Sequence, residues 1–201
     1  MTDDQKMNIA NSNLTTKTFG LKTPTDLHTK LLYDIERLRS TRSTVEARYA
    51  AFDCAVDAWH LVDWTLHMVD NASFERLTGR ERPGNRTKSD RRTVETCFAD
   101  MQEVQLPALE VCHLLANSVK HRQIRSDPEP ETSSNTTAFL AWQHSDEGER
   151  SLKSYRVFTY ICHRGEKLDA VSFFAEMADQ WAALLQQEGL FHPFPDFPED
   201  E

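Results

Sequence analysis

Ser43-Thr-Val-Glu-Ala-Arg-Tyr-Ala-Ala-Phe-Asp-Cys-Ala-Val-Asp-Ala-Trp-His-Leu-Val-Asp-Trp-Thr-Leu-His-Met-Val-Asp70 contains neither glycine nor proline. Its apolar residues recur at helical spacing, and Ser43-Thr-Val-Glu46 has the form of a capping box, in which the Ser hydroxyl and the Glu carboxylate satisfy each other's orphaned amide donors. The stretch therefore predicts one long helix. Leu61, Val62, Leu66, Met68 and Val69 form its apolar side, with Phe52 and Trp59 at the margin. On the other side, at about 100° per residue, His60 and His67 fall within about 20° of each other, with Asp63 and Asp57 flanking them.

The neighbouring sequence predicts further helices around this one. Pro24-Thr25-Asp26 offers helix-start chemistry and Leu27, Leu31, Ile35 and Leu38 follow, which predicts a first helix over 26–40. Asp90 can cap a third helix carrying Val94, Cys97, Phe98 and Met101. Pro107 suits the first turn of a fourth helix ending near His121, because its missing amide hydrogen would have had no partner there. Ser126-Asp-Pro-Glu-Pro then breaks the pattern.

Thr137–Gln143 and Ser154–Cys162, rich in β-branched and aromatic residues and separated by a polar turn with Asp146-Glu-Gly148, read as an antiparallel hairpin. Asp169 caps a last helix with Val171, Phe174, Ala178, Trp181 and Leu185 on one side. The expected fold is mainly α, within the α+β class: a bundle of four to five helices with a C-terminal β-hairpin at about 137–163. Residues 1–22 are expected to form a disordered arm, 23–189 a single domain, and 190–201 a Pro/Phe-rich tail. That tail reads as a strap on the protein's own surface, or as a peptide that docks a partner's groove.

A chain of 201 residues with 39% hydrophobic content can bury one sizeable core. No apolar run approaches the roughly 18 residues of a membrane span, and the N-terminus lacks the basic start and apolar stretch of a secretory signal. A soluble, cytoplasmic protein with no membrane partner is expected. Cys54, Cys97, Cys112 and Cys162 are scattered singly and read as reduced core residues. Trp59, Trp64, Trp142 and Trp181 read as core residues too, although Trp64 borders the polar stripe and could stack a base.

The net charge of −9 argues against a protein that coats nucleic acid with its whole surface. Yet residues 76–92 hold seven basic side chains against Glu81 and Asp90, a local +5 that leaves −14 for the rest. With Pro83-Gly-Asn in the middle, this segment reads as a loop between the second and third helices. It is either a solvated loop or a phosphate-contacting one that uses Arg80, Arg82, Arg86, Lys88, Arg91 and Arg92.

The fourth helix carries a second polar stripe, since Glu110, His113, Asn117, Lys120 and His121 fall within an arc of about 100°. Solvation alone explains most polar stripes, but His, Asp and Asn are unusual in that role. In a first chemical reading His121 is a general acid or base for phosphodiester cleavage. Asn117 would orient the ring or bond the phosphate, and Lys120, Arg122 and Arg125 would supply positive charge. A second reading is a metal site, because Asp57-x-x-His60 and Glu110-x-x-His113 share the acid-x-x-His spacing of helical di-metal proteins; its further carboxylates would have to come from residues such as Glu36 and Glu103. The favoured reading has no metal and no cofactor.

Ala58-Trp-His-Leu-Val-Asp-Trp64, Leu106-Pro-Ala-Leu-Glu-Val-Cys112 and Ala116-Asn-Ser-Val-Lys-His121 resemble segments of uncharacterised bacterial and phage-associated proteins related to the HEPN superfamily. The resemblance covers roughly residues 45–185. It implies a helical bundle, often dimeric, and metal-independent ribonuclease activity of the kind found in toxin–antitoxin, CRISPR and phage-defence systems. The family's motif is an Arg, commonly followed by a polar residue, and a His several residues on. Asn117 and His121 match the polar residue and the His, while the Arg position falls on Ala116.

A family member without that Arg binds RNA, pairs with a catalytic partner, or does neither. The resemblance thus implies His121 as acid/base, Asn117 and Lys120 as phosphate-side helpers, and His60 and Asp63 as facing residues. The expected partners are RNA and a second copy or another protein. The alternative is a non-catalytic interaction or regulatory module.

Overall fold

A computed structural model describes residues 19–82, 88–120, 132–144 and 150–192, with the backbone alone at 88–93, 119–120, 142–144 and 150–151. The described chain is mainly helical, with a small antiparallel sheet. Six helices and three strands follow in the order α1 (Pro24–Ser40), α2 (Thr44–Met68), α3 (Asn71–Thr78), α4 (Lys88–Met101), α5 (Leu109–Lys120), β1 (Thr132–His144), β2 (Arg150–His163), β3 (Glu166–Asp169) and α6 (Ala170–Gln187).

The long central helix is α2, and Ser43 caps it by accepting from the Glu46 amide at 3.3 Å. Only that half of the expected capping box forms. The Glu46 carboxylate instead accepts from Arg37 at 2.7 Å, joining α2 to α1 through an ion pair. A full box forms one helix earlier, where Thr23 caps α1 and Asp26 answers it. The α1–α2 hairpin closes tightly because α2 presents Ala47, Ala50, Cys54 and Ala58, all fully buried, so the helix axes can approach.

α6 packs on the other side of this hairpin. His28 of α1 lies 2.9 Å from the Ala178 carbonyl. Burial pulls the His28 pKa below its ordinary value, so the neutral ring donates Nε2–H to that oxygen. Trp181 is fully buried and stacks on Phe98 of α4, with ring centroids 5.8 Å apart. Burying each such side chain contributes about 1.5–3 kcal/mol.

Two elements depart from the sequence expectation, and the first brings the helices among the described residues to six where four to five were expected. Residues 71–78 are a helix, capped by Asp70 and ended by Gly79 in the left-handed conformation (φ 66°), and α4 starts at Lys88, so both ends of the basic segment are helical, while residues 83–87 lie outside the described residues. Asp90 therefore lies inside α4, not ahead of it. Pro107 precedes α5 by two residues. The hairpin is longer than expected and continues into β3 through Arg164-Gly165, both at positive φ (48° and 83°), as a type I′ turn requires.

The sheet order is β1-β2-β3, and its inner face, with Thr136, Thr159 and Ile161 buried, packs across α2, α5 and α6. Among the described residues no helix is long and apolar enough to cross a membrane. All four cysteines are free: Cys54 and Cys112 are buried, with their thiol pKa values pushed up by desolvation, while Cys97 and Cys162 are only partly buried.

The start of the tail is tied down. The Thr25 hydroxyl donates to the Leu190 carbonyl at 2.8 Å and accepts from the His192 amide at 3.0 Å, and Phe191 meets His28 edge-on. Residues 193–201 lie outside the described residues.

Candidate functional site

The two polar stripes lie on helices that pack together, and the direction of packing decides which residues meet. Trp59 of α2 stacks on His113 of α5 with centroids 4.1 Å apart. A cleft further along is lined by Arg48, Ala51, Phe52 and Ala55 of α2 with Leu115 and Ser118 of α5. Numbers rise on one helix as they fall on the other, so the pair is antiparallel. At 1.5 Å per residue, Asn117 sits about 7 Å along the axis from the level of His60 and about 12 Å from that of Asp63.

The expected single constellation thus separates into two regions. His60 is exposed and Asp63 half-buried. His67 Nδ1–H donates to the Asp63 carbonyl at 2.8 Å and lies 3.2 Å from its carboxylate. His113 is half-buried against Trp59, and Glu110 reaches Arg164 of the β2–β3 turn at 3.5 Å. Asn117 is half-buried and belongs to the stretch of α5 that approaches the cleft. Only the backbone of Lys120 is described, and His121, Arg122 and Arg125 lie outside the described residues.

Asp57 faces α1, away from His60. Its carboxylate accepts from Lys30 at 2.8 Å, as does that of Asp34. Arg37 bridges Asp34, Glu46 and Asp53 in the same network. Burial, with Asp34 adding repulsion against the pull of Lys30, pushes the Asp57 carboxyl up to about 7. The acid-x-x-His pattern read as a metal site therefore has its carboxylates engaged elsewhere, Asp57 with Lys30 and Glu110 with Arg164. Among the described residues no group of three or more His, Cys, Asp or Glu side chains could hold a metal.

The basic segment divides in the same way. Arg82 is spent on the fold: its guanidinium donates to Asn71 Oδ1 (2.9 Å) and to the carbonyls of Leu66 (2.9 Å) and Val69 (2.7 Å), and lies 4.4 Å over the Phe74 ring. It closes the C-terminus of α2, where carbonyls have no helical partner. Arg76 pairs with the buried Glu188 carboxylate at 2.6 Å. Arg80 is exposed. Lys88, Arg91 and Arg92 are described by backbone alone, within the first turns of α4, and Arg86 lies outside the described residues.

Sequence reasoning missed the cleft itself, which encloses about 680 Å³ between α2, α5 and the inner sheet face. Ala51, Phe52, Ala55, Leu115, Ile161 and Phe174 make an apolar floor, while Arg48, Tyr49, Ser118, Ser134 and Asn135 are polar or amphipathic. Thr136 and Thr159 also line it but satisfy each other across the strands at 3.0 Å. Arg48 and Tyr49 looked like ordinary exposed positions of α2, and Ser134–Thr136 preceded the expected strand. Only the recurrence of Tyr49 and Phe52 three residues apart hinted at a shared face.

No family model, no curated protein and no solved structure matches this chain.

Proposed function

We propose that this chain is an HEPN-like helical protein that binds RNA, in a bacterial or phage toxin–antitoxin or defence setting, with Asn117, Lys120 and His121 at the phosphate. One observation carries the reading: the α5 turn preceding that motif borders a cleft whose far wall offers Arg48, Tyr49 and Phe52. A cation beside aromatic rings is the combination that single-stranded RNA uses, phosphate on one and base on the other.

Binding is favoured over cleavage by Ala116. The position of the family's phosphate-gripping Arg is buried at 9% exposure, turned toward the interior. Lys120 carries charge without the planar fork of a guanidinium. The test is the affinity of the full chain for short single-stranded RNA at low and high salt, with a cleavage assay alongside. Salt-sensitive binding, weakened by His121→Ala and without cleavage, is the expected result. No binding at low salt overturns the reading.

A second reading, a non-catalytic interaction or regulatory module, is favoured by the hairpin. Phe139 and Phe158, 62% and 40% exposed, pack edge to face at 5.3 Å on one side, and Leu140 and Leu152 are exposed nearby. Apolar surface on a ribbon of this kind marks contact with another protein or a second copy. If the contact is with a second copy, Phe139→Ser with Phe158→Ser shifts the sedimentation of the protein to a smaller species; an unchanged value removes self-association through this face.

A further inference from the structure

The cleft has a chemical character more specific than RNA affinity in general. Its volume of about 680 Å³ falls within the range of roughly 300–1,000 Å³ typical of small-ligand sites. The floor is apolar and includes Phe52 and Phe174, so it favours a flat, poorly hydrated group. Tyr49, 59% exposed, stands one helical turn from Phe52 on the same face of α2. Together the two rings give a planar ligand a stacking wall at the mouth.

The polar groups are few and unspent. Among the described residues the side chains of Arg48 and Ser134 have no hydrogen-bond or ion-pair partner, although acidic residues outnumber basic ones by 32 to 23 in the chain. The Ser118 hydroxyl donates to the Leu115 carbonyl at 2.7 Å and keeps its lone pairs for a donor. Asn135 alternates to the outer face opposite Tyr160 and borders the cleft only through its backbone, so the Ser134 hydroxyl, a donor and an acceptor, is what meets the edge of a nucleobase. A lone guanidinium suits a single phosphate, which it can grip through two parallel hydrogen bonds.

We infer that this cleft is the site of one nucleotide unit, with its base against Tyr49 and Phe52, its edge toward Ser134 and Ser118, and its phosphate on Arg48. The inference rests on the RNA-binding reading for the source of that unit. A free nucleotide carries the same chemistry, and the experiment separates the two.

Binding of the full chain to a ten-nucleotide single-stranded RNA, to the same RNA with one abasic ribose at each position in turn, and to AMP is measured by calorimetry and anisotropy. The variants are Tyr49→Ala, Arg48→Gln and Ser118→Trp; all three side chains are exposed, and the last inserts an indole into the cleft. Circular dichroism and melting curves verify that each variant folds.

The expected result is about tenfold weaker RNA binding for Tyr49→Ala and Arg48→Gln. Loss of the base at one position should cost the wild type a similar factor and cost Ser118→Trp nothing. RNA binding that is indifferent to all three variants and to every abasic substitution overturns the cleft while leaving the RNA reading in place. AMP binding lost in Ser118→Trp, with no RNA bound, supports the cleft and removes the RNA reading. Binding of neither probe overturns both.

Discussion

Trp59 of α2 and His113 of α5 stack with their ring centroids 4.1 Å apart and their planes 24° from parallel. This contact fixes the stagger of the two helices and keeps Trp59 at 8% exposure. His113→Ala should therefore destabilise the protein by about 1–2 kcal/mol, through the lost ring contact and the gap left beside the indole. His113→Phe should restore most of it. Urea unfolding decides: an Ala variant with the wild-type midpoint and slope means the stack contributes nothing to the helix packing.

The Asp57 carboxyl, pushed up to about 7 chiefly by burial, makes a pH-dependent contribution whose sign follows from proton linkage. Between the ordinary carboxylate range and 7, the folded state holds a proton that the unfolded state has released. Stability from this group is thus fully present at acid pH, lost as the pH rises through the folded value, and level above it. Asp57→Asn should gain on the wild type by on the order of 2 kcal/mol between pH 5 and pH 8. A constant difference across that range would refute the assignment.

Arg82 ties two elements together, α3 through Asn71 and the Phe74 ring and the end of α2 through the Leu66 and Val69 carbonyls. Arg82→Ala leaves those carbonyls without their donors and should cost about 2–3 kcal/mol. Arg82→Lys should recover little, because an ammonium cannot reproduce the divergent donors of the fork. Melting temperatures of the two variants check this, and a fully rescued Lys variant would mean that charge alone suffices.

Thr65 and Trp181 each bury a polar atom, Oγ1 and Nε1, that has no hydrogen-bond partner among the described residues. Thr65→Val replaces a stranded hydroxyl with a methyl of nearly the same shape. It should stabilise the protein by about 1 kcal/mol, seen as a higher urea midpoint at unchanged slope. A loss of stability would show that the hydroxyl is satisfied in solution.

Local chemistry was legible wherever the signal lay within one turn. The Ser43 and Asp169 caps and the glycine-free length of α2 are features of contiguous residues, and they hold. The Asp70 cap and Gly79 stop of α3 were equally local, but the charge density of the following segment suggested a loop. Arg164-Gly165 is a tight-turn signal overshadowed by the stronger hairpin before it. What a sequence does not carry is the stagger between helices. The His60/Asp63 and Asn117 faces share a helical period, yet the distance between them depends on where Trp59 meets His113, a contact between residues 54 positions apart. Asp57 shows the same limit: its angle on the helix allowed it to join either His60 or α1, and Lys30 on α1 decided.

The two hydrogen bonds at the Thr25 hydroxyl have a topological consequence. They join the first turn of α1 to residues 190–192, so the first and last described helices are tied together at one point. A short peptide could span that junction, and the chain could be opened at an exposed turn such as Arg164-Gly165 without moving either end. The described helices are therefore linked end to end like a ring, with one small hydroxyl serving as its clasp.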